Sequence, residues 1–268
     1  CVIVFAIGFM RGGDMLEMFL VSVSLAVAAI PEGLPAVVTI VLALGMKRMV
    51  QRNAIVRKLL AVETLGCVTV ICSDKTGTLT QNEMTVVRAF TNGNVYKISG
   101  QGYNPAGEIT FEDGKIEPEA EPGLKLLLSA GVLCNDSALE QKDAKENLWG
   151  IVGDPTEGAL VVAGAKAGYD KAEMNEAYVR IGEIPFDSER KMMTTFHDNF
   201  IQDRIVSFTK GAPDIILGRC AKILQNGRAI DMTEALKQQI AKVNSEFAGN
   251  ALRVLAFTYR EYDKLPEA

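Results

Sequence analysis

The string Ser73-Asp74-Lys75-Thr76-Gly77-Thr78-Leu79-Thr80 sets a carboxylate beside a lysine, a glycine and several hydroxyls, directly after the apolar run 68–72. A carboxylate so placed can act as nucleophile on a phosphoryl group. Lys75 adds positive charge, Gly77 permits a tight turn, and the hydroxyls of Thr76 and Thr78, with loop amides, can hold phosphate oxygens. The competing reading is a solvated turn rich in Asp, Thr and Gly.

A second constellation, Pro31-Glu32-Gly33-Leu34-Pro35, falls inside a run from Met15 to Met46 that is apolar apart from Glu17, Glu32 and small hydroxyls. That run is long enough to cross a hydrocarbon core of about 30 Å. The prolines remove amide donors and break the helix, and the freed carbonyls can serve a cation where they line a protein cavity. A carboxylate at mid-membrane costs about 2.5 to 3.5 kcal/mol, so Glu32 reads as an ion-pathway residue, with a hard cation as its partner. Pairing or protonation beside a kink is the plainer alternative.

Three weaker strings follow. Lys210-Gly211-Ala212-Pro213-Asp214 comes between an apolar strand and a helix, where amides and a lysine can meet phosphate. Phe186-Asp187-Ser188-Glu189-Arg190-Lys191 offers an aromatic face and two cations, although Phe186 taken alone reads as core. Asp154-Pro155-Thr156-Glu157 opens a helix and can be simple capping.

The elements that must position these groups follow from the pattern. Residues 1–9 read as the tail of an earlier span, and Arg11–Asp14 as a polar turn closing a hairpin. The basic residues Lys47, Arg48, Arg52, Arg57 and Lys58 place everything after the span in the cytoplasm. A signal peptide is disfavoured, because no initiator Met, basic start or small-residue cleavage site is present. Residues 68–74 read as a buried parallel strand with Asp74 at its carboxyl end. Beyond residue 84 strands are expected over 85–90 and 94–100, then an acidic loop over 101–123 and a helix near 124–140. Further on come a helix over 155–167, strands near 179–185, 192–197 and 204–210, helices near 213–219 and 233–249, and a strand at 251–259.

Composition excludes several classes. The 268 residues are 48% apolar and carry a formal net charge of -5, which argues against a nucleic-acid partner. Five cysteines without a CxxC pair fit reduced thiols, and a single histidine, His197, leaves no His-based triad or multi-His metal site.

The eight-residue string around Asp74 resembles the signature of P-type ATPases, and PEGLP resembles the cation-binding fourth transmembrane helix of their P2 class. The likeness covers nearly the whole chain. It is closest over Met46–Thr85, where it resembles calcium pumps of the sarcoplasmic-reticulum type and their bacterial relatives. It implies that Asp74 is phosphorylated by ATP, and that Mg²⁺ is held by this carboxylate and the carbonyl of Thr76. It further implies that Glu32 and the carbonyls of Val27, Ala28 and Ile30 bind the transported cation, with calcium favoured by the PEGLP form. In the nucleotide pocket it implies Phe186 on adenine, Glu157 near the adenine amino group, Arg190, Lys191, Lys210 and Gly211 lining it, and Arg253 near the phosphates. Cys134-Asn135-Asp136 matches another family string and reads as structural. Asp214 departs from the family's usual Glu.

The implied architecture is multidomain. A transmembrane hairpin with a broken ion-binding helix spans 1–50, and a connector with part of a Rossmann-like, haloacid-dehalogenase-like α/β phosphorylation domain spans 51–84. An α+β nucleotide-binding domain on an antiparallel sheet spans 85–268, its closing strand missing. The lipid membrane and the remaining pump domains are the implied partners, and the piece alone is expected not to turn over ATP. A haloacid-dehalogenase-type phosphatase is disfavoured because Thr76 replaces its second Asp; a membrane-tethered nucleotide sensor is the other alternative.

Overall fold

The computed structural model describes residues 1–112 and 114–266. It divides into two compact units, the first ending at Asp74 and the second beginning at Lys75.

The first unit is helical: α1 (Val2–Met10), α2 (Met15–Ala28), α3 (Gly33–Val50) and α4 (Ala61–Gly66). Asp14 starts α2, its carboxylate accepting from the amides of Leu16 at 2.9 Å and Glu17 at 3.2 Å. The turn before it folds α2 back on α1, and Gly8 makes room for Met18; a Cβ there would collide with its sulfur. The expected helix break is present. Pro31 offers no amide, and the Ile30 amide turns back to the Val27 carbonyl at 3.1 Å while the Glu32 amide reaches the Ile30 carbonyl at 2.9 Å. Pro35 sits in the first turn of α3, where a missing donor costs nothing.

Taken together, 15–50 is the one stretch among the described residues long and apolar enough to cross a membrane. Its large apolar side chains are exposed. Helix α3 runs past Met46 and ends with Lys47 and Arg48 in its last turn, where cations offset the helix dipole.

Residues 68–74, expected as a strand, form none. A buried parallel strand needs neighbours to take up its backbone groups, and the first unit contains only helices among its described residues. After Asp74 the chain curls through a wide turn in which the Thr80 amide donates to the Lys75 carbonyl at 3.1 Å and Gly77 takes φ +72.

The second unit is built around α5 (Pro122–Leu133), reached through β1 (Arg88–Thr91), β2 (Asn94–Ile98), β3 (Ile109–Phe111) and β4 (Gly114–Lys115), an antiparallel meander. The sequence of α5, PGLKLLLSAGVL, is apolar on nearly every face, which suits a helix covered on two sides. Leu124 and Leu128 pack with Tyr96, Ile98 and Ile109 of the meander. Ala130, Val132 and Leu133 pack with Met193, Val206 and Phe208 of a second sheet. The helix stops at Leu133, short of the expected 140, because the Asn135 side chain bonds back to the Gly131 carbonyl at 3.1 Å. A hairpin of β5 (Ala138–Asp143) and β6 (Leu148–Val152) follows.

Next come α6 (Pro155–Lys166) and α7 (Lys171–Ala177), then the strands of the second sheet, β7 (Arg180–Asp187), β8 (Met192–Ile201) and β9 (Arg204–Gly211). Helix α8 (Pro213–Arg219), the hairpin β10 (Lys222–Gln225) and β11 (Arg228–Asp231), helix α9 (Glu234–Gly249) and β12 (Ala256–Tyr262) complete the described chain. The second sheet is antiparallel in the order β12-β9-β8-β7. Its last strand begins at Ala256 rather than 251, since Ala251 takes φ +57 and residues 252–255 form a loop. The short α7, β10–β11 and the β5–β6 hairpin carry too few periodic positions to stand out in the sequence.

Strand alternation sets the inner face. Met193, Thr195 and His197 of β8 pair with Lys210, Phe208 and Val206 of β9. His197 is fully buried; its Nδ1 lies 3.1 Å from the Tyr178 carbonyl, so that nitrogen carries the proton, and Nε2 accepts from the Thr195 hydroxyl at 2.9 Å. Burial holds the imidazole below its ordinary value, against the Tyr178 bond and with help from the Arg180 charge. The folded protein therefore resists a proton that the unfolded chain accepts, and stability falls as pH drops below about 6.5. Urea denaturation between pH 7.5 and 5 is expected to show a loss of up to about 1.4 kcal/mol per pH unit, the slope for one proton, which His197→Gln abolishes.

Candidate functional site

Lys210 follows Val206 and Phe208 at a spacing of two, so alternation turns it onto the face covered by α5. There its side chain is only 8% exposed. The ammonium donates to the Glu157 carboxylate at 2.6 Å and to the Cys134 carbonyl at 2.6 Å. Glu157 stands in the first turn of α6, where the helix dipole favours an anion, and its second oxygen accepts from the Asp136 amide at 2.9 Å. Asp154 caps that helix through the amides of Thr156 and Glu157. Burial raises the Asp154 carboxyl, but these bonds and the charge of Arg253 outweigh it and hold the group below its ordinary value.

The turn 134–137 joins these groups. Besides the Cys134 carbonyl and the Asp136 amide, it gives the Asn135 side-chain amide to the Glu157 carbonyl at 2.8 Å and the Ser137 hydroxyl to the Asp154 carbonyl at 3.1 Å. Arg180 reaches the Asp136 carboxylate at 2.7 Å. Burial raises the Cys134 thiol, with the Lys210 charge opposing. The string Cys134-Asn135-Asp136 is thus the hub of the site as well as a helix stop.

Sheet register brings in the other predicted residues. Asp187 pairs with Met192, Met192 with Gly211, and Gly211 with Ala256. One row across four strands therefore sets Phe186, Lys191, Lys210 and the loop bearing Arg253 at one end of the sheet. Gly211 is required by close approach, since a Cβ there would strike the Lys191 carbonyl and the Met192 side chain. Lys191 is exposed with φ +53, its amide bonded to the Asp187 carbonyl at 2.6 Å. Phe186 is 63% exposed, a free aromatic face rather than the core residue that its type alone suggests. Arg190 is engaged instead: its Nη2 donates to the carbonyls of Met192 at 2.9 Å, Ile184 at 3.2 Å and Pro185 at 3.3 Å, stapling the β7–β8 turn.

Two residues that sequence reasoning passed over belong to this site, Lys171 and Arg180. Lys171 Nζ donates to the carbonyls of Asn135 and Ser137 and lies 3.5 Å from Asn135 Oδ1. Burial pulls this amine down to about 8, opposed by Glu157 and Asp136 and assisted by Lys210 and Arg180. A signal existed: a lysine at the first position of a helix opposes the dipole, which calls for a compensating partner.

A cavity of about 830 Å³ in this unit is lined by apolar residues such as Leu127, Ile216, Phe247 and Phe257 and reaches the site at Thr156 and Arg253; Phe186, Glu157, Lys191 and Lys210 are not among its walls. In the first unit, Glu32 is exposed at the head of α3, and the carbonyls of Val27 and Ile30 each accept one turn hydrogen bond in the break. Among the described residues no three His, Cys, Asp or Glu side chains converge as metal donors.

Removing one partner of the buried pair strands the other charge. Glu157→Ala is expected to cost about 3 kcal/mol of unfolding free energy by denaturant titration. The double change Glu157→Leu with Lys210→Met is expected to cost less than the single one, because neither charge is left uncompensated.

The family described as "P-type ATPase, cytoplasmic domain N" matches residues 123–267, which is α5 through β12 and the residues that follow. The chain is 46% identical over 259 residues to the "Calcium-transporting ATPase" of Bacillus subtilis (strain 168), covering 97% of this chain and 29% of that protein. It is also 46% identical to the "Cation-transporting ATPase pma1" of Synechocystis, over 94% of this chain and 28% of that protein. It is 41% identical to the human "Calcium-transporting ATPase type 2C member 1", over 95% of this chain and 27% of that protein. The chain spans under a third of the length of these relatives. With a matching sheet-and-helix unit and near end-to-end likeness, the chain belongs to the P-type ATPases.

Proposed function

We propose that this chain is part of an ATP-driven cation pump in which the γ-phosphoryl group of ATP is transferred to Asp74. The observation that carries the reading is the row of residues at one end of the β12-β9-β8-β7 sheet, with the Lys210–Glu157 pair buried behind it. An exposed aromatic, an exposed lysine and an arginine near a helix N-terminus suit an adenine nucleotide: Phe186 stacks on the base, Lys191 and Arg253 face phosphates, and Gly211 lets the backbone come close. Glu157 and Lys210 form the polar floor, with Arg190 holding the turn that carries Lys191.

In the transfer a carboxylate oxygen of Asp74 forms the new bond to the γ-phosphorus, the bridging oxygen bond breaks, and ADP leaves with the electron pair. Lys75 and the hydroxyls of Thr76 and Thr78 compensate charge on the moving group. The Asp74 carboxylate and the Thr76 carbonyl are hard oxygen donors fit for Mg²⁺, which when bound neutralises phosphate charge. Residues 51–84 are read as a connector and the beginning of the α/β phosphorylation domain, whose remaining strands would pair residues 68–74.

Calcium is the proposed cargo, with Glu32 and the carbonyls of Val27, Ala28 and Ile30 among its ligands; the relatives' names support this choice over sodium, manganese or protons. Residues 1–50 form the membrane hairpin, and the cations after residue 46 put the rest in the cytoplasm. The partners are ATP, the cation, the lipid membrane and the other pump domains.

Acid-stable labelling of the full-length parent by γ-labelled ATP, with calcium present or chelated, tests the reading. Label that requires calcium and disappears in Asp74→Asn is expected. Label indifferent to calcium would move the cargo to another cation. No label under any ion would replace the pump with a membrane-tethered nucleotide sensor.

A further inference from the structure

Lys171 occupies the first position of α7, where its charge opposes the helix dipole, yet its side chain turns inward to the 134–137 turn. The ammonium has three donors, and it meets the Asn135 and Ser137 carbonyls and the Asn135 side-chain oxygen. Asn135 and Ser137 are 2% and 0% exposed, so water does not replace those bonds. The same turn supplies the Asp136 amide to Glu157 and the Cys134 carbonyl to Lys210. A shift of this turn therefore moves both members of the buried pair at once, although Lys171 makes no hydrogen bond to either.

We propose that Lys171 is a positioning residue for the nucleotide, clamping the 134–137 turn so that Glu157 and Lys210 keep the arrangement nucleotide binding requires. The proposal rests on the nucleotide reading of this site. It assigns Lys171 an effect on the binding of ATP and none on the transfer step, because its ammonium is directed to the Asn135 and Ser137 oxygens of the 134–137 turn.

The test is steady-state hydrolysis by the full-length parent, with KM for ATP and kcat at saturating ATP measured separately for Lys171→Met, Lys171→Arg and the control Lys210→Met. Lys171→Met is expected to raise KM about tenfold with kcat within about twofold, the pattern of lost binding shared by ground and transition states. Arginine, which keeps the charge and several donors, is expected to recover KM to within about threefold of wild type. Should Lys171→Met fail to fold, Lys171→Gln, with an uncharged amide to offer, takes its place with the same direction expected. An unchanged KM in Lys171→Met, a fall in kcat alone, or no recovery by arginine would overturn the proposal. If Lys210→Met also leaves KM unaltered, the nucleotide reading itself fails; if it raises KM while Lys171→Met does not, only the role of Lys171 is lost.

Discussion

Lys210 emerges from β9 on the face that α5 covers, and an ammonium there must find its compensation inside the protein. Glu157 supplies the charge and the Cys134 carbonyl supplies a second acceptor. That demand ties together elements far apart in sequence: the end of α5, the start of α6 and the end of β9 meet because one cation cannot be left alone. Gly211, immediately after, lets β8 and β9 close over the pair. The pair also explains why α6 starts where it does, with Asp154 capping and Glu157 anchored by the Asp136 amide. A buried pair of this kind adds little net stability, but it makes alternative placements of the three elements costly.

Helix α5 is the mechanical centre of the second unit. Its two apolar faces fill two cores, one under the meander of β1–β4 and one under the larger sheet, and its carboxyl end becomes the turn that holds the pair. Packing and polar placement are thus linked through a single helix. A change in the volume of Leu128 or Leu133 would be felt at the site through the same backbone.

Much of this was readable from residue order, and the gaps have physical reasons. The period-two alternation through β8 and β9 and the caps of α6 and α9 are local signals, and the helix break at Pro31 follows from a missing amide donor. Residues 68–74 look like a strand because they are β-branched and apolar, but a strand exists only with neighbours to bond it. Phe186, core by residue type alone, stands exposed, and the Arg190 guanidinium is tied to backbone carbonyls. Side-chain type alone does not determine which groups of a strand and its following turn stay exposed. Lys171 was missed because its partners lie more than thirty positions away.

The broken stretch 15–50 keeps its large apolar side chains exposed, whereas the second unit hides its own in two cores. The two therefore ask for different solvents, and the apolar stretch has ended by Val50, well before the second unit begins at Lys75. The chain is an amphiphile at the scale of whole segments, one suited to an apolar surrounding and the other to water.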